Sequence, residues 1–525
     1  MNHQTPSAYD EVAYPSLAHV QTHPDRLATI ATLFGMQSAP VEHCRVLELG
    51  CGDGTNIISM AYALPESTFL GIDSATRPII EGNQAITQLG LQNVQLQQRD
   101  ITDFGGDPRS FDYIIAHGVY SWVPAAARDR LLAICHANLA VNGVAYVSYN
   151  AYPGCHLRDM VREMMLFHVR GFRDAGEKIT QGRALLKFLA GSKKEPDLYR
   201  MMLKKELEQA MERIDAAFYH DDLSPVAHPV YLHQFLAHAA QHGLQFLGDA
   251  MFNEMQPEDY TPDVLAALEE LDDDVIAREQ YLDFLMCRRF RRTLLCHREV
   301  QLDHKIRSDV IAGFFAAADV QPVSPDPDIL SPVIEEFRAQ KGASIQTNRP
   351  LDKAALLHLS QCWPHSVRFA ELLAAARHLA LSEEKKDSEE KEDVAALCDL
   401  LLRAYAAGVV ELHLWTPRLV TKVSDRPVAS PIARLESRRG QRVTTLRHTG
   451  IELSDENSRD LLGLLDGTRD FGTLVDSLAA LVQAGKAQVR RDGEPVTEPA
   501  QVRAIIASEL PLGLERLAHA ALLVG

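Results

Sequence analysis

Residues 44–56 read CRVLELGCGDGTN, and the reading of the fold turns on this stretch. Arg45–Leu49 predict a short buried strand that carries one acid, Glu48. Gly50, Cys51, Gly52, Asp53 and Gly54 predict a tight turn, and Asn56–Ala63 (NIISMAYA) has the apolar spacing of a helix. Strand, glycine turn and helix form a ligand cradle, because glycines let a ligand reach bare backbone at a helix N-terminus. Two details depart from a dinucleotide site. The spacing is GxGxG, with Thr55 where the third glycine of GxGxxG would stand. Glu48, two residues before the first glycine, would set negative charge against a pyrophosphate. A ligand without phosphate and with a cationic amino-acid tail suits this arrangement better.

At 525 residues the chain exceeds one core and predicts two or three domains. Hydrophobic residues make up 46%, as in globular proteins, and no apolar run reaches the ~18 residues of a membrane helix, so no membrane insertion is expected. The opening MNHQTPSAYDEVAYPS lacks the basic and apolar regions of a secretory signal, and a cytoplasmic location is expected. Eight cysteines without a CxxC pair predict reduced thiols and no metal centre. A net charge of −18 speaks against a nucleic-acid partner and is compatible with a cationic one, such as a lysine-bearing polypeptide.

Along the chain, Thr68–Ser74 predicts a second strand ending at Asp73, where a carboxylate can hold a ribose diol. Asn93–Gln97 predicts a third strand, followed by Asp100 and Ile101, an acid and an apolar neighbour suited to an adenine amino group and ring face. Phe111–Ala116 and Val144–Tyr149 predict the fourth and fifth strands, with a helix at Ala125–Leu139 between them. This alternation predicts a parallel sheet with the ligand above the carboxyl ends of the strands. Ahead of it, a helix beginning after His23-Pro24, with Thr22 as its cap, follows the polar aromatics Tyr9 and Tyr14.

Glu48, Gly50, Gly52, Gly54, Asp73 and Asp100, in that order at strand ends, resemble the class I S-adenosylmethionine-dependent methyltransferases over roughly the first 150 residues. The resemblance implies S-adenosylmethionine as cofactor, with Gly50, Cys51, Gly52, Gly54 and Asn56 beside its methionine part. Asp73 and Ser74 would then hold the ribose, Asp100 and Ile101 the adenine, and Glu48, Tyr14 and His117 would complete the site. Two strand-end stretches narrow it: His117–Pro124 (HGVYSWVP) and Tyr149–His156 (YNAYPGCH), taken with residues 9–24, resemble methyltransferases that carry a regulatory domain. That family includes bacterial enzymes methylating lysines of outer-membrane proteins. Methyl transfer from a sulfonium needs alignment and a cation-tolerant cage. Tyr120, Trp122, Tyr149, Asn150, Tyr152 and His117 are the candidate acceptor-site residues.

The remaining chain predicts architecture more than chemistry. Leu244–Ala250 and Thr293–His297 complete a Rossmann-like seven-stranded methyltransferase sheet over 1–300, with a helical lid inserted at about 171–228 that ends in Tyr219, His220 and Asp222. Glu258, Asp259 and the run Glu383–Asp393 read as solvated charge. Residues 301–420 and 421–525 predict a mostly α region of two winged-helix-like modules, without a catalytic constellation, for interaction or homodimer formation. The expected activity is methyl transfer to a protein lysine; a small-molecule acceptor and a non-catalytic S-adenosylmethionine-binding regulator are the alternatives.

Overall fold

The computed structural model describes residues 8–12, 14, 16–192, 194, 197–257, 260–340, 342–380, 390–491 and 494–525. Glu258, Asp259 and Glu383–Glu389 lie outside the described residues. A short helix α1 (Ala8–Glu11) and α2 (Pro24–Leu33) precede β1 (Arg45–Leu49). Then α3 (Thr55–Ala63), β2 (Thr68–Asp73), α4 (Thr76–Leu89), β3 (Val94–Gln98), β4 (Phe111–Ala116), α5 (Ala125–Asn138) and β5 (Leu139–Asn150) follow in order. After an insertion come α6 (Leu232–Gln241), β6 (Leu244–Asp249), α7 (Val275–Met286) and β7 (Phe290–His297).

The sheet has seven strands in the order β3-β2-β1-β4-β5-β7-β6. β1 to β5 pair in parallel, but β7 runs antiparallel to both β5 and β6, so the wholly parallel expectation is corrected. A parallel neighbour needs a crossover that returns the chain to the starting end of the sheet. The segment between β6 and β7 stays at the end where β6 stops, and β7 therefore runs back. Central strands β1 and β4 are buried almost throughout, as strands covered by helices on both faces must be.

Four helical segments form the insertion: Cys155–Val169, Ala175–Ala190, Leu198–Glu212 and Asp215–Ala217, closed by a π-helical turn at Phe218–Asp222. They share a core of their own, with Val161, Met165, Leu186, Leu203 and Phe218 buried together. The packed unit thus starts at Cys155, and the methionine at 165 serves it as core.

Residues 301–420 pack on the sheet layer. Leu27, Val46 and Leu47 belong to one continuous core with Phe314, Leu356, Leu397 and Leu412. Polar pairs reinforce the seam: Asp25 accepts from His413 Nδ1 at 2.7 Å and Arg26 reaches Glu411 at 2.6 Å. The last hundred residues have a separate core around Leu462, Leu474, Val502 and Leu522. Among the described residues, no helix is long and apolar enough to cross a membrane.

One local expectation fails at α2. His23, not Thr22, caps the helix, its Nδ1 accepting from Asp25 N at 3.2 Å. Thr22 is buried instead, and its hydroxyl donates to His19 O at 2.8 Å while accepting from Asn56 Nδ2 at 3.0 Å.

Candidate functional site

Gly50, Gly52 and Gly54 all have left-handed backbone, with φ of 73°, 57° and 75°. At Gly50 a Cβ would meet Val119 Cγ2 at 2.5 Å, and at Gly54 it would meet Leu96 Cδ1 at 2.7 Å, so neither position admits a side chain. The turn is tied to β2: Gly50 N and Cys51 N both donate to Ile72 O, and Gly52 N donates to Asp73 Oδ2 at 2.9 Å. The Cys51 side chain is buried against Gly71, leaving only its backbone toward a ligand.

Glu48 carries the clearest signature. Its Oε1 accepts from Asn56 Nδ2 at 2.8 Å, while its Oε2 is buried without a hydrogen-bond partner among the described residues. Burial raises its carboxyl to about 8. A buried acceptor left unmade is costly, and an ammonium group would satisfy it. The amino-acid tail of S-adenosylmethionine supplies one, so the donor set fits this cofactor and disfavours a phosphate.

Asp73 ends β2, its Oδ1 accepting from Ala75 N at 2.8 Å. These backbone bonds orient the carboxylate at the strand tip. Ser74 is exposed beside it. Asp100 is exposed after β3 and accepts from Thr102 N at 2.8 Å, which holds the short turn bearing half-buried Ile101.

The N-terminal segment crosses above the glycine turn. Ser16 Oγ lies 3.3 Å from where a Gly52 Cβ would be, and His19 N donates to Asn56 Oδ1 at 2.9 Å. Tyr9 stacks on His220 with ring centroids 4.3 Å apart, and Tyr14 donates to Asp221 at 3.3 Å. Tyr14 is thereby tied to the insertion rather than to the glycine turn. Burial, with the charges of Asp221 and Asp73 nearby, pushes the Tyr9 phenol up to about 12. His220 and Asp222, at the end of the expected lid, are buried: His220 Nε2 bonds Val12 O at 2.7 Å and Asp222 pairs with Arg158 and Arg213.

The acceptor side departs most from the sequence reading. Strand side chains alternate between faces. On β5, Tyr146, Ser148 and Asn150 share the face that meets His117, while Tyr149 points the other way. His117 Nδ1 lies 2.9 Å from Tyr146 Oη, and its ring sits 3.8 Å from that of His19. Burial holds His19 down at about 4, helped by Arg292. Burial, His19 and Arg292 keep His117 well below its usual range. Two neutral imidazoles therefore form one wall. Asn150 is buried on the same face, and among the described residues its side-chain amide makes no hydrogen bond.

Three candidate tyrosines lie away from this wall. Tyr149 stacks on Phe235 at 4.2 Å and its hydroxyl bonds Thr293 Oγ1 at 2.9 Å, deep in the core. Tyr120 is buried edge-on to the same Phe235, its hydroxyl 2.8 Å from His238 Nδ1. Tyr152 stacks on His156 at 3.9 Å and donates to Asp159 at 2.9 Å. Trp122 is half-buried under the Arg158 guanidinium, 6.0 Å from its ring centre.

The largest omission is in the C-terminal half. His448 Nε2 lies 3.0 Å from Asn56 Oδ1 and its Nδ1 3.0 Å from Ser59 Oγ, directly behind the glycine turn. A side chain from beyond residue 300 thus reaches the helix that follows the glycine turn. His19, Tyr146 and Arg292 were also missed. The alternation in Val144–Asn150 could have revealed Tyr146; nothing local marks His448.

A Rossmann-like sheet, a glycine turn at the end of β1 and ordered acids at the tips of β1 to β3 define an S-adenosylmethionine-dependent methyltransferase. Three family models match: "Methyltransferase domain" at 40–178, "Predicted methyltransferase regulatory domain" at 215–297, and "PKMT, C-terminal winged helix domain" at 425–522. The second covers α6, β6 and β7, so what that description calls regulatory completes the sheet. "Uncharacterized protein RP789" of Rickettsia prowazekii is 32% identical over 98% of this chain and 93% of its own length. A second relative there, "Uncharacterized protein RP028", is 35% identical over 46% of this chain and 96% of its own. The solved structure of PKMT2 from Rickettsia typhi in complex with AdoHcy superposes with a TM-score of 0.86 at 27% identity, covering 98% of this chain and all of that one (100%). The chain belongs to this family of S-adenosylmethionine-dependent methyltransferases with a regulatory domain and a PKMT-type winged helix.

Glu48 is expected to make cofactor affinity pH-dependent. A carboxyl raised to about 8 is largely protonated at pH 6, and pairing with an ammonium requires it to ionise. Binding then releases a proton, so affinity for S-adenosylhomocysteine should rise about tenfold from pH 6 to pH 7. Calorimetry in buffers of different ionisation heat measures both; Glu48→Gln should abolish the dependence, and a flat wild-type profile would remove Glu48 from the ammonium site.

Proposed function

We propose that this enzyme transfers a methyl group to the side-chain nitrogen of lysine in a protein. S-adenosylmethionine, when bound, supplies an electrophilic methyl on a sulfonium. The assignments we propose are Glu48 for its ammonium, the backbone at Gly50–Gly54 for the methionine part, Asp73 for the ribose, and Asp100 with Ile101 for the adenine. His19, His117, Tyr146 and Asn150 form the acceptor side. Residues 1–300 would then carry transfer, with the insertion covering the acceptor, 301–420 bracing the sheet, and 421–525 docking as a separate module.

The observation that carries a nitrogen acceptor is the composition of that wall. Neutral His19 and His117, the Tyr146 phenol and the Asn150 amide offer hydrogen-bond acceptors, and the nearby Arg292 guanidinium is paired with Glu254 at 3.0 Å. Such groups can orient an uncharged amine through its remaining N–H bonds and tolerate a sulfonium beside it. Asp221 at the rim and the overall charge of −18 favour approach of a basic polypeptide. The resemblance to outer-membrane-protein lysine methyltransferases supports the same reading.

The test uses methyl-labelled S-adenosylmethionine with bacterial protein extracts and the purified enzyme. Acid-stable label recovered as methyllysine after hydrolysis is expected. Label confined to small molecules would instead establish the small-molecule acceptor.

A further inference from the structure

His448 is separated from Asn56 by 392 residues, yet it completes the hydrogen-bond chain behind the cofactor turn. The orientation of the Asn56 amide is settled by its other partners. Its Nδ2 faces Glu48 Oε1 at 2.8 Å and Thr22 Oγ1 at 3.0 Å, and its Oδ1 accepts the His19 amide at 2.9 Å. With oxygen on that side, His448 Nε2 must be the donor, and its Nδ1 lies 3.0 Å from the Ser59 hydroxyl, whose proton it shares with Asn56 O at 2.9 Å. Burial, with His23 and His19 close by, keeps the ring neutral, as this tautomer requires.

The turn that presents His448 is built for placement. His448 has left-handed backbone with φ of 58°, closed by its own N–H donating to Thr445 O at 2.9 Å. Leu446 N donates to Ala521 O at 2.9 Å, fastening the turn to the end of the C-terminal module. Arg447 lies 4.5 Å from the Trp363 ring centre and donates to Pro364 O at 2.8 Å, fastening it to the middle segment. His448 therefore reaches Asn56 only when the C-terminal module is docked.

We propose that His448 is a positioning residue for the cofactor: by holding Asn56 it aims Glu48 at the ligand's ammonium, so that docking of the C-terminal module and cofactor binding stabilise each other. The reciprocity is thermodynamic. If docking tightens binding, binding tightens docking by the same factor. The inference rests on the glycine turn being the cofactor site, and the experiment separates the two.

Full-length wild type, His448→Ala, His448→Gln and Asn56→Ala are titrated with S-adenosylhomocysteine by calorimetry. Hydrogen exchange of residues 442–452 is followed with and without the ligand. His448→Ala should bind about tenfold more weakly, the loss of one buried hydrogen bond, with KM for S-adenosylmethionine raised in step and kcat at saturation within about threefold. Ligand should slow exchange of 442–452 in wild type and not in His448→Ala. His448→Gln, whose Nε2–H can still reach Asn56, should regain most of both. Should His448→Ala not stay folded, Ser59→Ala supplies the same readout with an expected loss of about twofold to threefold. Wild-type affinity in His448→Ala alongside weakened Asn56→Ala overturns the role of His448. Equal loss in the Ala and Gln variants, without change in ligand protection, overturns it in favour of a purely structural part. Unchanged binding by Asn56→Ala would instead remove the cofactor from the glycine turn.

Discussion

Replacing Arg291 with Met is expected to destabilise the fold by about 3–5 kcal/mol, because it takes the shared cation from the buried carboxylates of Glu279, Asp283 and Asp249, of which Asp283 keeps Arg288 at 2.7 Å. Arg291 is fully buried on β7. Its Nε donates to Asp283 at 2.9 and 3.0 Å, its Nη2 to Glu279 Oε2 at 3.0 Å, and Asp249 lies 3.6 Å from Nη1. Burial already raises Glu279 and Asp283 above the usual carboxylate range despite this cation. In the variant they gain further reason to be protonated. Such groups favour the folded state below their unfolded pKa, and that advantage disappears as pH rises through the folded value. The difference from wild type should therefore shrink from pH 8 to pH 5. Urea denaturation at both pH values measures it; a loss below about 1 kcal/mol at pH 8 would mean that water compensates these carboxylates. The consequence reaches function, since Phe290 and Arg292 on the same strand pair with Asn150 and Ser148 at the acceptor wall.

Asn150→Ala should slow single-turnover methyl transfer by about a hundredfold while leaving S-adenosylhomocysteine affinity within about twofold. The amide stands at the end of β5 on the face of His117 and Tyr146, with its main chain fixed by Ser121 Oγ at 2.8 Å. A rigid backbone beneath a side chain without partners among the described residues is how a protein holds a group in reserve for substrate. Misplacing an attacking atom by ~1 Å is enough for the predicted loss. Tyr149→Phe is the matched control. It removes a hydroxyl bonded to Thr293 in the core and should lower stability by about 1 kcal/mol with little change in rate. Rapid-quench assays of both variants decide the matter. A rate loss in Tyr149→Phe with none in Asn150→Ala would return the acceptor site to the opposite face of β5.

Tyr120, Tyr149 and Tyr152 all stand at or just past strand ends, but position along a strand does not say which face a side chain takes. Parity does: Tyr146, Ser148 and Asn150 alternate with Val147 and Tyr149, and the buried hydroxyl bond of Tyr149 to Thr293 marks the core face. Tyr120 and Tyr152 follow no such rule, because each sits in a turn whose direction is set by what packs on it, Phe235 and His156 respectively. The reversed direction of β7 was equally hidden, since its residues would suit either pairing and only the route of the preceding chain decides.

What the sequence determined by itself was local in origin. Glycines at 50, 52 and 54 permit a left-handed turn that residues with a Cβ rarely adopt, and the acids at 48, 73 and 100 stand at strand tips because strand lengths and helix spacings put them there. Those few residues carried the Rossmann-like class and the cofactor. What only the tertiary structure decided depends on contacts between residues far apart in the chain: the His19–His117 pair, the Tyr14–Asp221 closure and His448 behind Asn56. No periodicity encodes such contacts. They arise when separately patterned segments bury their apolar faces together and bring polar side chains from distant parts of the chain within reach of one another.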